Sequence, residues 1–146
     1  MTKAREPRFS MEQVDGRNLR VAHWKAESKT DKLPLLFFNG IGANIEAMAP
    51  LAHMLHDRDF LTFDMPGVGG SPEPMVPYNA WMMGRISEQL LDRYDMTQVD
   101  VMGVSWGGAM AQQFTLQNGP RVNRLILAAT TAGMLMVPGN PKALIK

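Results

Sequence analysis

Residues 103–108, Gly-Val-Ser-Trp-Gly-Gly, constrain the fold of this chain more than any other stretch. They follow an apolar run at 99–104 and precede a segment of small residues, as at a junction between a strand and a helix. Glycines on both sides of Ser105 permit a sharp turn that lifts the serine hydroxyl off the end of the strand. The placement predicts a nucleophile elbow with Ser105 as the nucleophile.

Short apolar runs typical of buried strands recur along the rest of the chain. They lie at 35–38, 60–63, 99–104 and 122–129. A hairpin with strands at 9–14 and 18–24 precedes them, because Asp15-Gly16 is a strong signal for a two-residue turn. Helices are predicted after Gly42 with Pro50 in the first turn, behind Asn79 as N-cap, and over 107–117 before Gly119-Pro120.

This order predicts an α/β fold, with a mostly parallel sheet, an N-terminal β-hairpin and helices on both faces. Right-handed crossovers bring the carboxyl ends of the parallel strands to one edge, where open α/β sheets bind ligands. Residues 39–42, 64–71 and Ser105 each follow a strand, so they should converge there. Residues 134–146 are predicted to be an irregular apolar tail.

The glycine-rich turn at 39–42 is the second feature with chemical meaning. In this architecture the loop after the third strand donates a backbone N–H to an oxyanion, beside the N–H that follows the nucleophile. Those donors would be the backbone N–H groups of Ile41 and Trp106, and the Asn39 side chain would brace the loop. The glycine-rich loop at 64–71 is interpreted as a structural turn, and Asp64 as part of it rather than as a catalytic acid.

No Asp, Glu or His follows Ser105 in the sequence. His23, His53 and His56 precede it and are predicted to lie away from the active edge. The base and the acid that a serine nucleophile needs are therefore expected to be missing from this chain. His53 and His56 have a metal-like spacing without a third ligand, so neither a metal nor an organic cofactor is expected.

Length and composition fit one soluble globular domain, with 146 residues, 45% hydrophobic and 20% charged. The formal net charge of +1 predicts no nucleic-acid partner. The sequence contains no cysteine, which fits a reducing, cytoplasmic compartment, and no apolar run predicts a signal peptide or a transmembrane span.

Taken together, the chain resembles the α/β-hydrolases, and more narrowly the intracellular poly(3-hydroxyalkanoate) depolymerases of the medium-chain-length type. The residues that carry the resemblance are 34–44 (PLLFFNGIGAN), 64–71 (DMPGVGGS), 103–109 (GVSWGGA), 128–130 (AAT) and 136–139 (MVPG). The combination of FNGIGAN with GVSWGG is far more specific than G-x-S-x-G.

The resemblance implies a serine hydrolase that attacks the ester bonds of a stored polyester and releases 3-hydroxy acids at a cytoplasmic granule. It implies that residues 1–146 form the N-terminal part of the core, without the cap region and the C-terminal part that carries Asp and His. A general carboxylesterase or acyl hydrolase, or a non-catalytic truncated remnant, remain alternatives. Strand 122–129 would then be an apolar edge that invites self-association.

Overall fold

The structure, a computed structural model, describes residues 5–132. Its strands form one sheet in the order β1-β2-β4-β3-β5-β6. The first pair is antiparallel, β2 is antiparallel to β4, and β4, β3, β5 and β6 run parallel to one another. The strands are β1 Arg8–Val14, β2 Arg17–Trp24, β3 Leu35–Phe38, β4 Phe60–Phe63, β5 Val99–Val104 and β6 Val122–Ala128.

The helices connect the parallel strands, as crossovers must. They are α1 Ala49–Met54, α2 Ala80–Arg93 and α3 Trp106–Gln117, and 3₁₀ turns precede α1 at Ile45–Met48 and β6 at Gly119–Arg121. Asn79 caps α2, because its side chain accepts a hydrogen bond from the backbone N–H of Met82 at 2.9 Å. Pro50 lies in the first turn of α1, as predicted.

The short strand β3 shows why the sheet has two cores. All four of its residues are buried, and successive side chains point to opposite faces. Leu36 and Phe38 belong to the cluster that packs against α2 and α3, whereas Leu35 and Phe37 belong to the cluster that contains Ala52 of α1. Helices therefore cover both faces, and the predicted α/β fold with its mostly parallel sheet is confirmed.

The predicted elements agree with the observed ones to within a residue or two at their ends. Strands 35–38, 60–63 and 99–104 have the predicted bounds, and the third helix begins one residue earlier than predicted, at Trp106. Residues 134–146, predicted to be an irregular tail, lie outside the described residues, as does the 136–139 motif.

The apolar strand β6 lies at the edge of the sheet. Its apolar run is typical of a buried strand, but its central residues Leu125, Ile126 and Leu127 are 37%, 44% and 40% exposed. The predicted apolar edge is confirmed, because within residues 5–132 β6 is the last strand of the sheet and pairs with β5 only. An apolar run shows that the side chains of a strand can be buried, but the elements that pack beside the strand decide whether they are.

We expect this edge to drive self-association of the chain, because unpaired N–H and C=O groups beside apolar side chains template pairing with another strand. The substitution Ile126→Lys should lower the associated fraction at a given concentration. Leu116→Lys, at a residue that is 82% exposed on α3, is the matched control and should leave association unchanged. Sedimentation velocity over a concentration series measures both, and a wild-type chain that stays monomeric throughout would contradict the prediction.

Candidate active site

Ser105 occupies a strained turn between β5 and α3. Its backbone has φ 55° and ψ −124°, and its side chain is exposed. A non-glycine residue held in such a conformation costs about 1–3 kcal/mol and persists only where the surroundings enforce it. Here the N–H of Ser105 donates to the carbonyl of Ala128 at 3.0 Å, and its own carbonyl accepts from the N–H of Gly108 at 2.9 Å. The turn has the geometry of a nucleophile elbow.

Two glycines make room for this turn. A Cβ at Gly103 would overlap the backbone of Gly107, and a Cβ at Gly107 would overlap the carbonyl of Phe38 at the end of β3. The helix α3 thus begins in direct contact with the neighbouring strand. These contacts explain why the residues around the predicted nucleophile are small.

The turn at 39–42 lies beside Ser105. A Cβ built on Gly40 would be 3.6 Å from the Cβ of Ser105. The buried Asn39 side chain donates to the carbonyl of Asn44 at 2.9 Å and accepts from the N–H of Gly40 at 3.0 Å. The predicted bracing of this loop by Asn39 is confirmed.

Ile41 and Trp106 were predicted to supply the oxyanion donors. The structure places both in segments adjacent to Ser105, and the Ile41 side chain is 78% exposed. Within residues 5–132, neither backbone N–H donates a hydrogen bond to another group. Free N–H groups are what a developing oxyanion requires. Their role in catalysis stays a prediction.

The Asp64 carboxylate is buried beneath the site and serves as an acceptor for two loops. One oxygen accepts from the backbone N–H of Ile45 at 2.8 Å, and the other from that of Gly70 at 2.9 Å. Arg20 donates to the same carboxylate at 3.2 Å. The interpretation of 64–71 as a structural turn is therefore supported, because these contacts occupy both carboxylate oxygens.

Arg20 links Asp64 to the protein surface. Its guanidinium also contacts the Glu46 carboxylate and lies 4.3 Å from the centre of the Phe9 ring. The hydrogen bond between Arg20 and Glu46 raises the pKa of the arginine and lowers the pKa of the glutamate, so both groups stay charged. Sequence reasoning missed this pair, because no local pattern places a β-strand arginine against a loop 26 residues away.

Trp106 packs against an aromatic residue that no sequence motif singled out. Its ring meets that of Tyr78 in an edge-to-face contact with centroids 6.3 Å apart. Arg17 lies over the Tyr78 ring at 5.8 Å. Burial raises the pKa of the Tyr78 phenol, which therefore stays neutral. One wall beside Ser105 is thus aromatic.

Two of the three histidines contact carboxylates rather than Ser105. His23 is buried and its Nε2 is 2.8 Å from the Asp59 carboxylate, which precedes β4 at the opposite edge of the sheet. His56 is 3.4 Å from the Glu27 carboxylate. In the described part of the chain, no hydrogen bond or ion pair joins a histidine to Ser105.

Residues 5–132 contain neither a cluster of metal ligands nor a helix that could span a membrane. Among these residues, no three His, Asp or Glu side chains cluster closely enough to ligate a metal ion. None of the helices in this range combines the length and the hydropathy that crossing a bilayer requires.

The sheet order, the strained serine and the glycine contacts together define a class of protein. The family model for the α/β hydrolase fold matches residues 34–145, and the chain belongs to that family. Among curated proteins, it is 45% identical over 137 residues to a poly(3-hydroxyalkanoate) depolymerase of Ectopseudomonas oleovorans. It is also 30% identical over 105 residues to 3-oxoadipate enol-lactonase 2 of Acinetobacter baylyi.

The chain spans less than half the length of these relatives. The two alignments cover 93% and 71% of this chain, but 48% of the depolymerase and 39% of the lactonase. Solved structures agree on the fold: Cfl2 of Burkholderia cenocepacia matches with a TM-score of 0.80 at 21% identity, covering 97% of this chain and 50% of Cfl2. The enol-lactonase of Burkholderia xenovorans matches with a TM-score of 0.77 at 22% identity, covering 84% and 47%.

We expect the substitution Gly107→Ala to destabilise the chain strongly, because the added methyl group would meet backbone of β3 that cannot move aside. Overpacking of this kind costs about 1–3 kcal/mol and can cost more where the obstacle is backbone. Gly119→Ala is the matched control, since a Cβ there meets no atom within 4 Å. Urea unfolding followed by circular dichroism measures the stability of both variants. Equal unfolding midpoints would contradict the close approach of α3 to the end of β3.

The Asp64→Ala variant should lose about 1–3 kcal/mol of stability, because the buried N–H of Ile45 and the N–H of Gly70 would lose their acceptor. Arg20 would keep Glu46 as its remaining partner. The control is Asp31→Ala at an exposed residue, which should change little. The free energy of unfolding of the two variants, measured by urea denaturation, compares the two effects. A small loss at Asp64 would mean that the carboxylate does not hold the two loops.

Proposed function

We propose that Ser105 is the nucleophile of a carboxylic-ester hydrolase. One observation carries the proposal: an exposed serine, held at φ 55°, lies beside a turn in which the backbone N–H of Ile41 donates to no other group within residues 5–132. Strain at an exposed residue points to function, because such a conformation persists only when the surrounding packing enforces it. The 45% identity to a poly(3-hydroxyalkanoate) depolymerase supports an aliphatic polyester as substrate and a cytoplasmic granule surface as its location.

The mechanism follows from the groups at the turn. Ser105 Oγ attacks the ester carbonyl carbon while a base takes its proton, and the resulting oxyanion accepts hydrogen bonds from Ile41 N–H and Trp106 N–H. Collapse breaks the bond to the alcohol portion, which leaves with a proton, and the acyl group stays on Ser105. Water then attacks the acyl-enzyme and releases a 3-hydroxy acid.

The base and its orienting acid would come from residues that this sequence does not carry. None of the three histidines is bonded to Ser105 within residues 5–132, and no Asp, Glu or His follows Ser105. We therefore propose that residues 1–146 form a partial hydrolase core, whose cap region and remaining catalytic residues are supplied elsewhere. Without a base, oxyanion donors and binding leave only about 10³–10⁴ of acceleration over water in well-studied triads.

Two alternative functions are each supported by a specific observation. The 30% identity to an enol-lactonase favours a hydrolase for small soluble esters, because the fold does not fix the substrate. The missing base favours a chain that binds without turnover. Co-sedimentation with poly(3-hydroxyoctanoate) particles, compared with hydrolysis of 4-nitrophenyl acetate, separates polymer binding from small-ester turnover.

Labelling with a fluorophosphonate, read by intact mass, tests the role of Ser105. The wild-type chain should label slowly, because the serine lacks a base, and the Ser105→Ala variant should not label. Ser28→Ala, at an exposed serine in a loop, is the control and should label at the wild-type rate. Equal labelling of wild-type and Ser105→Ala would reject Ser105 as nucleophile, and no labelling of a folded wild-type chain would favour binding without turnover.

A further inference from the structure

A cavity of about 490 Å³ lies between the β1–β2 turn, the loop after β4 and the helix α2. This volume is within the range of pockets that hold small organic ligands. Its apolar lining includes Pro66, Pro74, Met75, Val76, Met82 and Ile86. Ser105 does not line it, so the cavity is distinct from the turn that holds the nucleophile.

The strand register places this cavity at the same edge of the sheet as Ser105. Val21 of β2 pairs with Phe63, the last residue of β4, and the strands are antiparallel. The start of β2 at Arg17 therefore extends past the carboxyl end of β4, and Arg17 lines the cavity. In the sheet, β3 lies between β4 and β5. The carboxyl ends of β4 and β5 are therefore about 10 Å apart, which is twice the usual distance between neighbouring strands.

A series of contacts connects the cavity wall to the nucleophile. Arg17 donates to the carbonyls of Val76 and Pro77 at 3.0 and 3.3 Å and lies over the Tyr78 ring. Tyr78 in turn contacts Trp106, the residue after Ser105. An elongated molecule could follow this wall from Ser105 to the cavity.

The polar groups of the cavity select the kind of molecule it would hold. Asp15, Glu73 and Arg17 line the cavity. The Asp15 carboxylate lies 3.7 Å from the Arg85 guanidinium, and Arg17 donates to backbone carbonyls and lies over the Tyr78 ring. Glu73 has no ion-pair partner within residues 5–132, so an anionic ligand would meet an uncompensated carboxylate there. Methionine and proline side chains offer an adaptable apolar surface, which suits flexible aliphatic chains.

We propose that this cavity is a subsite for a neutral aliphatic arm of the ester substrate, which extends away from Ser105 along Tyr78. The role as a substrate subsite rests on the proposed function, whereas binding in the cavity can be measured without any turnover. A polyester of 3-hydroxy acids has such arms on both sides of each ester bond. The cavity would then give preference to long substrates over short ones.

Methyl NMR of the whole chain with ¹³C-labelled methionine tests the subsite. The probe is the methyl ester of the linear dimer of 3-hydroxyoctanoate, and the comparison ligand is octanoate, which is anionic. Met75 and Met82 line the cavity, whereas Met54 is 77% exposed on α1 and serves as the internal reference. The dimer ester should shift the resonances of Met75 and Met82 but not that of Met54, and octanoate should bind at least about tenfold more weakly.

Variants locate the binding. Val76→Glu puts a third carboxylate into the cavity at a residue that is 61% exposed, so the fold should persist while the Kd for the dimer ester rises about tenfold. Leu116→Glu makes the same change on the exposed surface of α3 and should leave the Kd unchanged. Equal effects of the two variants, or equal binding of the dimer ester and octanoate, would overturn the subsite.

Ser105→Ala separates this proposal from the proposed function. Binding of the dimer ester in this variant should match the wild type, because the cavity does not include Ser105. Absence of shifts at Met75 and Met82 in the folded wild-type chain would overturn the subsite even if Ser105 reacts with the phosphonate. Shifts without any phosphonate labelling would keep the cavity as a binding site and favour binding without turnover.

Discussion

The close approach of α3 to the sheet at Gly103 and Gly107 is the constraint on which this structure depends. A side chain at either glycine would collide with backbone, and Ser105 between them is held at φ 55°. The conformational cost at Ser105 is offset by the packing of α3, whose Met110, Ala111 and Phe114 are buried against the sheet. The same packing that stabilises the helix therefore presents the serine at the end of β5.

The buried carboxylate of Asp64 organises the loops around that serine. It fixes the backbone of Ile45, which follows the 39–42 turn, and that of Gly70 in the neighbouring loop. Arg20 supplies the compensating charge from β2 and reaches out to Glu46. A buried charge without partners is costly, so each member of this network restricts the others. The loops at the active edge are thus coupled to the hairpin strand β2.

The two ends of the sheet differ in how well they are covered. At the β1 end, the hairpin, α2 and the loop after β4 line an open cavity, and Arg17 and the aromatic pair Tyr78 and Trp106 connect it to Ser105. At the other end, within residues 5–132, β6 exposes apolar side chains. Membership of the α/β hydrolase family accounts for a serine in a strained turn at the end of β5. The substrate and the source of the base are proposals, and they rest on similarity to a depolymerase about twice as long.

The sequence by itself determined the strands, the helices and the elbow at Ser105, because each depends on local signals: apolar runs, caps and glycines next to a serine. Contacts between distant residues decided the rest. The pairing of Arg20 with Asp64 and the position of Tyr78 against Trp106 depend on strand order, which no local pattern encodes. Side-chain periodicity indicates which face of an element is apolar, but only the assembled sheet decides what that face meets.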